Sequence, residues 1–243
     1  MSLAKAIMCW SGGKDSAYCL HKVISERLFD VRYLLTTLNA TYKRISMHGI
    51  REELLDLQAA SIGIPLKKVW VSEGTNDEYE RQMREILVHA KTEGIEHVIF
   101  GDIFLVDLRA YREKNLTQLA MTAVFPLWKT DTAVLMRDLI HKGFKTLLCC
   151  TNDAYLGEEW LGREINNEFL AQLPSHVDPC GENGEYHTFC CDGPLYSSPI
   201  PFSLGEHVYK PLEIKTTDDH PTSPTKGFWF CDIESEKPQH NKP

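Results

Sequence analysis

Apolar and polar positions along the first 150 residues alternate between two kinds of pattern. Short, nearly continuous apolar runs at Ala4 to Trp10, Val31 to Leu38, Leu66 to Val71 and Ile95 to Phe100 predict buried strands. Between them the apolar residues space out as on one face of a helix, as with Ala17, Leu20, Val23 and Ile24 after the first run. Arg51 to Ile62 predicts a second helix, stopped by Gly63 and Pro65. Thr75 with Glu78 forms a capping box that opens a third helix, running to about Glu93 and stopped by Gly94. A helix over roughly Leu108 to Val124, another over Thr132 to Lys142 and a fifth strand over Phe144 to Cys150 continue the order. Strands alternating with helices predict an α/β fold, a doubly wound, parallel five-stranded sheet with helices on both faces. After about Leu173 the chain turns rich in Pro, Gly, Cys and polar residues, with β-like runs at Glu206 to Ile214 and Lys226 to Ile233. A boundary near residue 125 therefore separates an α/β domain (1–125) from a smaller mixed α+β domain (126–235), and 236–243 reads as a frayed tail.

Composition narrows the function classes. With 243 residues and 43% of them hydrophobic, the chain can bury a sizeable core. A net charge of −8 makes repulsion of phosphate the default, against general binding of nucleic acid or anionic membrane. No stretch approaches the roughly 18 apolar residues of a spanning helix, and no secretory leader pattern is present, so a cytoplasmic protein is expected. The eight cysteines include the adjacent pairs Cys149–Cys150 and Cys190–Cys191 but no C-x-x-C, which predicts buried free thiols rather than disulfides or metal ligands.

The chemistry begins at residues 11–16, SGGKDS, between the first strand and the first helix. A glycine-rich turn at a helix N-terminus is an anion site, because unpaired N–H groups and the positive end of the helix meet there. Gly12 and Gly13 let backbone approach a phosphate, Lys14 adds a charge, and Ser11 and Ser16 add donors. A Walker loop is excluded, since Asp15 follows the lysine where Ser or Thr would stand, and the dinucleotide G-x-G-x-x-G is absent.

SGGKDS resembles the pyrophosphate-binding loop of the PP-loop ATP pyrophosphatase superfamily, whose adenine nucleotide α-hydrolase-like members cleave ATP between its α and β phosphates. Further segments, "MHGIREELLDLQAASIGIPL" (47–66), "FGDI" (100–103), "FPLW" (125–128) and "CGENGEYHTFCCDGPLY" (180–196), are together similar to the diphthine–ammonia ligase family, in a form closer to its bacterial members. The resemblance implies ATP with Mg²⁺, adenylation of a carboxylate with release of pyrophosphate, and attack by ammonia with release of AMP. The acid would be protein-borne diphthine, a modified histidine of translation elongation factor 2, or a corrinoid or other small carboxylate in bacteria. RNA sulfuration, a reaction of other branches, would want a basic surface and a sulfur-carrying cysteine pair. A nucleotide sensor on the same fold is the non-catalytic alternative. With no N-terminal cysteine or second catalytic module, free ammonia or a partner subunit is the expected nitrogen source, and a homodimer is compatible.

Around the loop, Thr36, Thr37, Met47 and His48 follow the second strand, and Gly101 and Asp102 end the fourth, where nucleotide clefts of open α/β sheets form. His48 either stacks near adenine or lies on the surface. Gly101 would let the nucleotide come close. Asp102 either holds Mg²⁺ or the nucleophile, or caps the next helix. Arg109 and Arg112 could pair a carboxylate bidentately. Within "GENGEYHT", Glu182, Asn183, Glu185, Tyr186 and His187 form an anionic lip in which Glu185 or Glu182 could accept ammonium and take its proton, with His187 either a substrate contact or structural. Of these, Lys14, Asp102 and Glu185 are the catalytic expectation, and Arg112, Glu182, Asn183, Glu185 and His187 the substrate contacts. The stripe of Leu54, Leu57 and Ile62 is read as core, and Trp128 as packing near the domain junction.

Overall fold

The computed structural model describes residues 2–45, 47–72, 76–212 and 225–236. Thr75 of the expected capping box, the end of the run to Ile214 and most of the expected tail lie outside the described residues.

Strands β1 (Lys5–Cys9), β2 (Asp30–Asn39), β3 (Leu66–Val71), β4 (His97–Ile99) and β5 (Thr122–Val124) form one all-parallel sheet in the order β3-β2-β1-β4-β5. The helices α1 (Lys14–Ser25), α2 (Glu52–Ile62), α3 (Asn76–Thr92) and α4 (Val106–Thr117) alternate with these strands. Parallel strands need crossovers, and a sheet covered on both faces has two cores. Here Ala6 and Met8 of β1 point into a core shared with α1 and α2, while Ile7 points into the opposite core with Leu87 and Ala90 of α3 and Leu116 of α4. The period of two along β1 thus feeds both layers. Gly63 ends α2 in the left-handed conformation (φ 78°), which a Cβ would disfavour.

The fold class is the expected one, but its fifth strand is a different segment. Phe144 to Cys150 does not extend the parallel sheet. It is β6 (Lys145–Asn152), in a separate antiparallel sheet with β7 (Tyr186–Asp192), β8 (Phe202–Pro211) and β9 (Gly227–Ser235), ordered β7-β6-β9-β8. The parallel sheet is completed instead by β5, within the span read as one helix to Val124. That helix stops at Thr117 because Ala120 turns left-handed (φ 49°), and Thr122 and Val124 suit an edge strand. A three-residue strand is too short to reveal a period of two.

Helices α5 (Thr132–His141) and α6 (Asn167–Gln172) complete the fold, with Asp131 and Asn166 accepting N-cap bonds from Val134 and Phe169 at 2.9 Å each. Leu147, Leu148, Phe189 and Ile233 of the second sheet join the core of the α1–α2 layer, so the two sheets share one apolar interior. Arg44 and Arg51 reach across to Asp232 of β9 at 2.7 and 2.5 Å. All eight cysteines are free, seven of them buried. Among the described residues no helix is long and apolar enough to cross a membrane.

Candidate nucleotide and substrate cleft

The SGGKDS turn leaves the C-terminal end of β1, next to β4, where the strand order reverses direction. Gly12 adopts φ +74°, and a Cβ there would stand 2.8 Å from Leu55 Cδ2 and 2.9 Å from Gln58 Oε1. A Cβ on Gly13 would stand 2.8 Å from His48 Cε1 and 2.9 Å from the Thr188 carbonyl. Both glycines therefore admit close packing by α2 and β7. Gly13 is also the N-cap of α1 and brings no side chain to its first N–H groups. Ser11 Oγ accepts from Gly13 N (3.3 Å), and Ser16 Oγ donates to the Gly13 carbonyl (3.0 Å).

Gln58 holds the turn from behind. It is fully buried, donates to the carbonyls of Gly12 (2.9 Å) and Cys190 (2.7 Å), and accepts from Trp10 Nε1 (2.9 Å). Cys190 N also donates to the Gly12 carbonyl (2.9 Å), and Lys14 N to Thr188 Oγ1 (3.0 Å). The phosphate-type loop is thus pinned by a strand of the second sheet. Sequence reading missed Gln58 and Thr188. The available signal for Gln58 was a lone amide four residues after Leu54 on an apolar helical face.

Lys14 is 2% exposed. Its ammonium donates to both Asp15 oxygens, at 2.8 and 3.0 Å, and to the Cys180 carbonyl. Burial pulls its pKa down, but the adjacent Asp15 and other acidic groups outweigh that, and the net shift is upward. The lysine is a fixed, fully charged cation at the mouth of the loop.

A cleft of ≈ 710 Å³ opens in front of the turn. Its wall takes in Ser11, Lys14, Asp15, Ser16, Thr36, Met47, His48, Gly101 and Asp102 from the first sheet and its loops, and Arg112 from α4. Glu182, Asn183 and His187 come in from the second half of the chain, which the folding brings opposite the loop. Gly12 and Gly13 stand behind the wall. Gly101 does line the cleft, but a Cβ there would meet the Asp15 carbonyl at 3.1 Å, so its room serves the first turn of α1.

His48 Nδ1 lies 3.0 Å from the Thr188 carbonyl, and its ring packs against His187 at a tilt of 40°, with centroids 4.7 Å apart. A carbonyl only accepts, so Nδ1 carries the proton and a neutral His48 presents Nε2 as a bare acceptor. Burial pushes both imidazoles toward the neutral form, most strongly His187, where His48 and Lys14 add like-charge pressure. His187 Nε2 and Thr36 Oγ1 are buried without a hydrogen-bond partner.

The two glutamates differ sharply. Glu185 is 1% exposed and turned away from the cleft; its carboxylate accepts from Asp178 N (3.0 Å), Asn183 N (2.9 Å) and Asn183 Nδ2 (3.0 Å). It staples the 178–186 turn, so the expectation of Glu185 as base and ammonium acceptor does not fit its position. Glu182 faces the cleft and accepts from Ile103 N at 2.8 Å. Burial drives its pKa up to about 7, with Asp15 adding to the rise against the opposing Ile103 bond. Residues 186–192 of this segment are strand β7, not loop, with Tyr186 buried.

Asp102 does not cap α4. Arg112 Nε stands 2.6 Å from its Oδ2 as an ion pair and Nη2 donates to Oδ1 at 3.1 Å, with the guanidinium over the Phe100 ring. Arg109 is outside the cleft, bonded to Glu113 at 2.8 Å and stacked over Phe125 and Trp128. Among the described residues no cluster of three or more His, Cys, Asp or Glu is arranged to hold a metal.

Comparison with known proteins matches two domain families, in order, within residues 4–214. Residues 4–122 match the diphthamide synthase N-terminal domain, and residues 131–214 match its C-terminal domain. Relatives described as diphthine–ammonia ligase include one from Danio rerio, 26% identical over 82% of this chain and 86% of its own, and one from Rattus norvegicus, 27% identical over 82% of each. A solved U34-tRNA thiolase of Methanococcus maripaludis is 17% identical and covers 58% of each chain at a TM-score of 0.35, a likeness too weak to argue from. With both domains matched in order over most of its length, the chain belongs to the diphthamide synthase family.

Proposed function

We propose that the chain is an ATP-dependent carboxylate–ammonia ligase, which adenylates an acid with loss of pyrophosphate and then transfers ammonia with loss of AMP. One observation carries this reading: the cationic, donor-rich loop at Lys14 and the carboxyl of Glu182 face the same cleft from different halves of the chain. Residues 1–125 would supply the nucleotide side and 126–235 the amine side.

The residues present suit ATP. Lys14 with the N–H groups of α1 would stabilise charge on the departing pyrophosphate, a preorganised arrangement in which one lost donor costs about 10²–10³ in rate. His48 Nε2, as a bare acceptor, suits an exocyclic amine of a base. Mg²⁺ usually takes one or two protein carboxylates plus phosphate oxygens. Asp102 is paired with Arg112 and Asp15 with Lys14; of the two, Asp15 belongs to the loop and would be the one to hold the ion, which would neutralise phosphate charge.

For the second step the acceptor is Glu182 rather than Glu185. An ammonium must lose a proton before it attacks, and a carboxyl with a pKa near neutrality is matched to that task. Arg112, released from Asp102, would orient the acid. Substrate-dependent exchange of labelled pyrophosphate into ATP tests the reading. AMP as product supports it, and stoichiometric ADP refutes it. ATP binding with no exchange for any acid would favour a sensor.

A further inference from the structure

A second cavity of ≈ 320 Å³ lies between α3 and α4, over β1 and β4. It sits at the small end of the range for ligand pockets, roughly 300–1,000 Å³. Its floor is apolar, with Leu87, Val98 and Leu116 all buried. Tyr111 Oη donates to Glu80 Oε1 at 3.3 Å and ties the two helices together across the rim.

Two features say what would bind. The rim carries Arg81, Arg84 and Arg112 against the single acid Glu80. Arg81 is paired with Glu85 at 2.7 Å and Arg112 with Asp102, but Arg84 is exposed and has no ionic partner among the described residues. An apolar floor under a cationic rim favours an anion with an apolar body and disfavours a cation of the same shape. The second feature is continuity. The cavity shares Cys9, Tyr79, Met83, Phe100 and Arg112 with the nucleotide cleft, and Arg112 is the one charged residue of the five.

We infer that this chamber binds a small carboxylic acid with an aromatic or short aliphatic body, presenting its carboxylate to the cleft at Arg112. This rests on the ligase reading and adds to it a subsite for the acid. Arg112 is the junction, because a guanidinium pairs bidentately with carboxylates and can exchange Asp102 for the incoming one. Arg84 steers the acid to the entrance.

The probe is hydrocinnamate, followed by saturation-transfer NMR on the full chain, with hydrocinnamamide and phenethyltrimethylammonium as neutral and cationic counterparts. Asn115→Trp fills the chamber and Arg84→Glu reverses the charge at its rim. Neither residue lines the nucleotide cleft, so ATP affinity and melting temperature should be unchanged in both. Hydrocinnamate should bind, the amide about tenfold or more weakly and the ammonium not at all. Asn115→Trp should abolish binding and Arg84→Glu should weaken it about tenfold. Absence of hydrocinnamate binding, undiminished binding to Asn115→Trp, or equal binding of the ammonium would each overturn the site. With an acid that supports pyrophosphate exchange, Asn115→Trp should raise the KM for that acid and leave the KM for ATP alone. An unchanged acid KM overturns the role as acid subsite. If hydrocinnamate binds as described but no acid ever supports exchange, the ligase reading fails while the chamber stands as an anion site.

Discussion

Glu182 allows a test in which pH itself is the perturbation. Burial lifts its carboxyl from 4.5 to about 7, so its ionised fraction rises from about a tenth at pH 6 to about nine tenths at pH 8. If the ionised form takes the proton from ammonium, the amide-forming step should speed up about tenfold over that interval. An ordinary carboxylate would give a flat profile. The assay follows amide product at a fixed, saturating ammonium concentration, because ammonium is the species whose proton the carboxylate takes. Glu182→Gln keeps an oxygen for the Ile103 N–H, so the cleft should retain its shape. It should spare pyrophosphate exchange, slow amide formation by about 10²–10⁴ and remove the pH limb. The same pKa has a stability consequence. The native state holds this proton to higher pH than the unfolded chain, so stability falls as pH rises from about 4.5 through about 7. A shift of that size corresponds to at most roughly 3 kcal/mol, and about half of that with water reaching the cleft side. Glu182→Gln should therefore melt higher than the natural chain at pH 8 and equally at pH 4. Loss of exchange in Glu182→Gln, or persistence of the pH limb in it, would refute the role assigned to this carboxyl.

Three further outcomes are expected. Lys14→Ala should abolish pyrophosphate exchange while the chain stays folded, as judged by circular dichroism; retained exchange would remove the lysine from the adenylation step. Glu185→Gln should lower the melting temperature without changing the ratio of exchange to amide formation, because it leaves an Asn183 or Asp178 donor unpaired at a cost of about 1–3 kcal/mol. Asp232 is held well below the usual carboxylate range by its bonds to Arg51 and Arg44, so its contribution is present above about pH 4 and lost as pH falls below that. Asp232→Asn should thus melt lower than the natural chain at pH 7, by about 2–8 °C for a loss of about 1–2 kcal/mol, with the gap closing in acid.

Much of the molecule is determined locally, by the chain itself. The strand-to-helix turn at residues 11–16, the helix that follows and the first four parallel strands all rest on short-range pattern: apolar runs, helical spacing, and glycines where φ must be positive. Residue type and order sufficed there, because each element's preference agrees with its place in the sheet. The loop's set of donors was legible for the same reason, since they lie within six consecutive residues.

Tertiary structure decided the rest. Phe144 to Cys150 has the apolar pattern of a parallel strand, and pattern cannot tell which sheet will receive it; antiparallel pairing with β7 and β9 did. Glu182 and Glu185 are three residues apart and alike in composition. The turn at 178–186 points one into the cleft and seals the other beneath three N–H bonds, so only burial and partners separate them. Gln58 shapes the glycine loop from 46 residues away, and Thr188 and Cys190 do so from far later in the chain, through bonds that exist only once the second sheet has docked on the first. Local sequence sets what each residue can donate, accept or bury, whereas the long-range contacts fix the partner that each of them meets.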